Sequence, residues 1–214
     1  MNIDNLKALV GRGEGQHIEF KRKVVNAEKI SNEIVAFANT NGGHLFIGVD
    51  DNGTIPGLKF AEEHDLELQE AAMKVIRPKL VIKPEYVALT AKKSVVVYHI
   101  EESSQKPHFV KDGSEKKYFV RVADRSIQAS KEVVEIIKRR KKSKGTKFSF
   151  GEREKRLFEH LEHQPKITLK EYMQLAKCNR FLASRNLIRL VLAGVLEVVP
   201  REKEDHFILP KSFL

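Results

Sequence analysis

Two places in this sequence bring carboxylates together at a spacing that could do chemistry. Glu14 and Glu19 are separated by four residues and followed at once by Phe20 and Lys21, while Asp50 and Asp51 stand side by side ahead of Asn52-Gly53. Gathered carboxylate oxygens suit a hard cation such as Mg²⁺ or Mn²⁺. The same residues also have a plain reading: Glu19 paired with Lys21 or Lys23, Asp50 and Asp51 as turn formers, and Glu14 in a glycine-rich loop. A second group is basic. Arg121 and Arg125 enclose Val122-Ala123-Asp124 and could hold phosphate, or Arg125 could pair with Asp124 at the surface. A third group, Arg180, Arg185, Asn186 and Arg189, lies on or near one helix, where Arg would read guanine and Asn adenine from a major groove. The other reading is a protein-binding face with ordinary surface arginines. His108 reads as structural, and His160 and His163 fall on one helix turn with no third ligand in view.

The elements that must position these groups follow from periodicity. Asp4 is expected to cap a short helix carrying Leu6, Leu9 and Val10, ended by Gly11, Gly13 and Gly15. Residues 17–21 alternate, with Ile18 and Phe20 on one face and His17, Glu19 and Lys21 on the other, as in a half-buried strand. A helix over 28–40 follows, with Ile30, Ile34, Phe37 and Ala38 on one stripe and Gly42-Gly43 closing it. Leu45–Val49 then reads as a short buried strand. A helix is expected over 61–76, stopped before Pro78. Hairpins are expected at 85–90 with 94–100 and at 107–111 with 117–122, and a helix over 130–141. Beyond the break at Ser143–Ser149 come helices at 152–163, after Thr168 with Glu171 as a capping box, and at 180–193 capped by Asn179. Strands at 195–199 and 206–209 close the chain. Strands and helices mix without a regular βαβ rhythm, so the fold class is α+β, and helix–helix–helix–hairpin is the winged-helix layout.

Composition bounds the remainder. The 214 residues are long enough for one large domain or two modest ones. One cysteine, Cys178, excludes an internal disulfide and any multi-cysteine zinc cluster. No apolar run approaches a membrane span. Met1-Asn2-Ile3-Asp4-Asn5 lacks a basic stretch followed by an apolar one, so no secretory signal is expected and the reading is cytoplasmic. The net charge of +10 is unevenly spread: residues 1–137 are neutral, residues 138–147 carry +7 and residues 148–214 carry +3. A basic block of this kind, with Lys138, Arg139, Arg140, Lys141 and Lys142 at its start, favours phosphate backbones by counterion release, or serves as a solvated linker.

The run from Ala36 to Gly53, with Asn39-Thr40-Asn41-Gly42-Gly43 and Gly48-Val49-Asp50-Asp51, preceded by Glu14-x4-Glu19-Phe20-Lys21, resembles the AlbA-like domain of the Schlafen family over about residues 1–137. The resemblance implies an AlbA/Schlafen-like mixed sheet with helices and a link to DNA or RNA. In nuclease-type Schlafens the two glutamates and the second aspartate form a metal-dependent ribonuclease site. The matching positions are Glu14, Glu19 and Asp51, which would hold Mg²⁺ or Mn²⁺ to polarise a phosphodiester and supply hydroxide, with Lys21 on a phosphate oxygen. Animal members use two lobes and a zinc motif. This chain has one lobe and one cysteine, and a homodimer could replace the second lobe. Relatives are often labelled ATP-binding or divergent AAA proteins. A phosphate loop, however, needs a strand, then glycines, then a helix N-terminus with Lys-Ser/Thr. Gly42-Gly43 follow a helix and precede a strand, at the negative end of the dipole, and Gly11–Gly15 leads into a strand. Nucleotide hydrolysis of that type is not expected. The resulting expectation is an AlbA-like domain over 1–137, a basic linker over 138–150 and a winged helix over 151–214, acting as a nucleic-acid-binding, transcription-regulatory protein. The alternative is a metal-dependent endoribonuclease using Glu14, Glu19 and Asp51.

Overall fold

The computed structural model describes residues 1–140 and 150–211. The chain divides into two compact units, Met1–Gln128 and Ala129–Leu214. In the first, the elements are α1 (Ile3–Val10), β1 (Ile18–Lys21), α2 (Ala27–Asn39), β2 (Gly43–Ile47), α3 (Ala61–Val75), β3 (Ile76–Arg77), β4 (Pro84–Thr90), β5 (Lys93–Ile100), β6 (Phe109–Asp112), β7 (Glu115–Lys117), β8 (Phe119–Val122) and β9 (Arg125–Gln128). The class is α+β, a mixed sheet with helices. Its main sheet has the order β1-β2-β5-β4. β1 and β2 run parallel, with Glu19 opposite Leu45, and the remaining pairs are antiparallel.

Period-2 alternation divides this sheet's two faces. Leu45, Ile47, Val96, Tyr98 and Ile100 join α2 and α3 in one core. Phe20, Phe46, Val95 and Val97 join Leu6 and Val10 of α1 in the other, with Phe20 and Phe46 edge-on at 5.8 Å. The α1 cap is Asn2, whose side chain accepts from the Asn5 backbone, rather than Asp4. Asn26 caps α2 in the same way. Gly42 takes the left-handed conformation expected of it, at φ 71°. Gly43 is required for a different reason: a Cβ there would lie 2.5 Å from the Phe37 ring and 2.8 Å from the His17 carbonyl oxygen. Gly43→Ala is therefore expected to cost about 1–3 kcal/mol, read as a lower urea midpoint. An unchanged midpoint would contradict this packing.

The second expected hairpin is split in two. β7, rather than a strand running through 122, pairs with β6, and β8 instead turns at Ala123 (φ 53°) to pair with β9. Asn39 holds the junction. Its amide donates to the carbonyls of His108 and Phe119, and its oxygen accepts from the His108 backbone.

The second unit contains α4 (Lys131–Arg140), α5 (Glu152–His163), α6 (Leu169–Leu175), α7 (Arg180–Leu192), β10 (Glu197–Val199) and β11 (His206–Ile208). The Thr168–Glu171 capping box and the Asn179 cap form as expected. β10 and β11 pair antiparallel. A core of Leu157, Leu161, Tyr172, Leu187, Leu190 and Phe207 includes Ile136 of α4. That helix therefore belongs with the second unit, and the division falls before it rather than after residue 137, because its apolar stripe packs on α7. Among the described residues, no helix is long and apolar enough to cross a membrane.

Candidate functional site

The first group of chemistry-bearing residues lies around the start of β1. Glu14 reaches forward from the glycine loop, and its Oε1 accepts from the Phe20 backbone at 2.8 Å. Burial pushes its carboxyl up, and the nearby charges of Glu19 and Asp51 add to the effect, against the Phe20 hydrogen bond and Lys21. Glu14 thus lies within electrostatic reach of the other two expected carboxylates. Asp51 is exposed in the turn after β2, beside Asp50, which accepts from the Thr54 hydroxyl and faces Arg22 at 3.5 Å.

Glu19 is not the surface carboxylate that strand alternation suggested. It is 6% exposed, one oxygen is paired with Lys21 and the other with the Arg121 guanidinium at 2.7 Å. The α2 side of β1 is covered by the β8–β9 hairpin, which sequence periodicity did not resolve. Arg121 is correspondingly not a phosphate contact, since its side chain is 1% exposed. Its guanidinium donates to the Gly15 and Ile18 carbonyls, meets Glu33 at 3.1 Å and lies over the Phe37 ring at 4.9 Å. Glu33, a residue sequence reasoning passed over, takes a hydrogen bond from Ser126. Burial and the charge of Glu19 push its carboxyl up, opposed by Ser126, Lys21 and Arg121. An acidic position on the polar edge of α2 was the available signal.

As arranged, these carboxylates do not fit a divalent-metal centre. Both oxygens of Glu19 are committed to cationic side chains, and among the described residues no three His, Cys, Asp or Glu side chains converge to hold a metal. The positive charge that the cluster needs comes from Lys21 and Arg121. Beside it opens a pocket of about 550 Å³ lined by Lys21, Lys23, Lys29 and Glu33. Lys23 and Lys29 were not among the expected contacts.

The raised Glu14 carboxyl gives a pH-dependent expectation. A folded-state value above the unfolded one contributes stability below the unfolded value, and that contribution is lost as pH rises through the folded value. Glu14→Gln keeps the acceptor for Phe20 and removes the charge. It should therefore raise stability relative to wild type at about pH 7 and lose much of that advantage at about pH 4, below the ordinary glutamate value. Urea titrations at the two pH values check this, and a larger gain at the acidic value would reverse the sign.

The second unit presents its cations differently. Arg180 and Arg185 are exposed on the N-terminal half of α7, and Arg180 pairs with Glu132 at 3.1 Å. Phe181, also missed, is 71% exposed and shares a face with Arg185 one turn on. Arg189 is half-buried and within 3.5 Å of the Asn186 oxygen. Asn186 does not reach a groove: it is buried, and its amide donates to Glu154 at 3.0 Å and to the Tyr172 hydroxyl at 3.1 Å. Asn186→Ala is expected to cost about 1–3 kcal/mol by stranding buried acceptors, without altering sequence preference. Denaturation alongside a binding assay separates the two effects. Lys138 and Arg139 are exposed at the end of α4 and pair with Glu135. Arg140 is exposed there too, and Arg125 is exposed on β9. Lys141 and Lys142, with the basic stretch to Lys147, lie outside the described residues. His108 is structural, as expected, buried between the Pro78 carbonyl and the Ser103 hydroxyl.

Residues 14–130 match the family described as Schlafen, AlbA_2. No curated protein matches the chain. Among solved structures it is similar to the N-terminal domain of a RecG-related protein from Nitrosomonas europaea, at 22% identity and a TM-score of 0.44, over 55% of this chain and 85% of that one. It is also similar to the DIP2311 protein from Corynebacterium diphtheriae, at 18% identity and a TM-score of 0.46, over 64% of this chain and 27% of that one.

Proposed function

Because the chain belongs to the Schlafen AlbA_2 family, we propose that it is a nucleic-acid-binding protein whose second unit works as a winged helix in transcription regulation. One observation carries this reading: the N-terminal half of α7 exposes Arg180, Phe181 and Arg185 together. Guanidinium groups reach phosphates and guanine edges, and an exposed aromatic ring packs on a base or a thymine methyl. Lys138, Arg139 and Arg140, in the same unit, add phosphate contacts. On the first unit, Lys23, Lys29 and Lys21 supply a basic pocket beside the carboxylate cluster. The test is binding of the full chain to duplex DNA and to structured RNA at two salt concentrations, with Arg185→Glu beside wild type. The reading requires binding that weakens with salt and with the reversal of charge.

A metal-dependent endoribonuclease is the second reading, favoured by the charges of Glu19 and Asp51, which together with burial raise the Glu14 carboxyl. Against it stands the commitment of Glu19 to Lys21 and Arg121. Incubation of end-labelled RNA with Mn²⁺ and with EDTA separates the two readings. Intact RNA in both lanes is expected. Mn²⁺-dependent cleavage abolished by Glu19→Gln would replace the first reading with the second.

A further inference from the structure

Two histidines outside the carboxylate cluster face each other across the central strands of the first sheet. In the β2–β5 register His44 is directly opposite His99, which brings His44 Nε2 within 3.1 Å of His99 Nδ1. The ring centroids are 4.7 Å apart and the planes are inclined by 48°. The pair sits on backbone that is hydrogen-bonded on both sides of β2, so the spacing is set by the sheet rather than by a loop. The His44 ring is also stacked with Phe46, two residues along the same strand, at 6.0 Å and 25°. His99 is exposed and His44 half-buried, so water and ions reach the nitrogens.

This spacing matters because two imidazoles bound to one ion at about 2.0–2.1 Å, at neighbouring positions, have their nitrogens about 3.0–3.4 Å apart. The observed separation falls inside that range. Imidazole pairs prefer Zn²⁺, Cu²⁺ or Ni²⁺ to the hard cations that carboxylates hold. We propose that His44 and His99 form a divalent transition-metal site, two ligands from the protein and the others from water or an added small ligand. No third His, Cys, Asp or Glu converges on them among the described residues, so the site binds more weakly than a closed structural zinc site.

Zinc chloride titrated into the full chain by calorimetry at pH 7.5 tests the assignment. One Zn²⁺ per chain is expected, with affinity reduced roughly tenfold or more in His99→Ala and in His44→Ala, and unchanged in the His160→Ala/His163→Ala double variant. Because His44 is partly packed, a second measurement uses the wild-type chain. Substoichiometric Cu²⁺ should broaden the His44 and His99 ring resonances ahead of those of every other histidine. Equal Zn²⁺ affinity in the His99 variant, no Zn²⁺ binding at all, or Cu²⁺ broadening that begins at another histidine would overturn the site.

Discussion

Replacing Arg121 with alanine is expected to remove on the order of 3–5 kcal/mol of folding free energy, the cost of leaving buried charge without its partner. Two carboxylates lose that partner at once. Glu19 would retain only Lys21, and Glu33 only Ser126 together with more distant cations. The carbonyls of Gly15 and Ile18 would lose donors as well, and the face of Phe37 would lose the guanidinium packed on it. Arg121→Lys keeps a charge but not the planar fork, so a smaller loss is expected. A chemical denaturation series over both variants, with Glu19→Gln and the Arg121→Ala/Glu19→Gln pair completing a cycle, reads the coupling directly. A loss below about 1 kcal/mol in Arg121→Ala would mean that this network does not organise the β1–β8 contact.

The second large effect is on binding. Charge reversal at Arg185 removes one of the cations presented by α7 and sets an anion against the phosphate backbone. A well-placed arginine contributes about 1–3 kcal/mol of recognition, so a loss of roughly tenfold or more in affinity for duplex DNA is expected at low salt. Phe181→Ala should weaken binding less, and less steeply with salt, because its contact is apolar. Asn186→Ala should leave the affinity of the folded protein near that of wild type. If Arg185→Glu bound as tightly as wild type, α7 would not be the contacting helix.

Much of this fold is legible in the sequence because its elements are amphipathic and well punctuated. Thr168 with Glu171, and Asn179, mark helix starts, and Gly42 and Gly194 mark ends where φ is positive. The site was harder to read, for a physical reason. Strand alternation around Ile18 and Phe20 assigns Glu19 to the face opposite an apolar core, and a charged residue there normally faces water. The β8–β9 hairpin covers that face and brings Arg121 from more than a hundred residues away in sequence, a pairing that no local pattern encodes. Asn186 misled in the same way. Its position on the helix resembles a base reader, but Tyr172 and Glu154 on neighbouring helices turn it into a buried clasp. Phe181 was the converse case, an apolar residue whose exposure becomes visible only when α7 is packed.

The central claim, that this chain binds nucleic acid through phosphate contacts, is tested most directly by the salt dependence of its affinity. Fluorescence anisotropy of a labelled duplex, and of a structured RNA, titrated with the full chain at 50 mM and 200 mM salt, gives that slope. Four phosphate contacts predict a loss of roughly 100-fold between the two conditions. Affinity that is the same at both concentrations, or no binding at the lower one, would contradict the account.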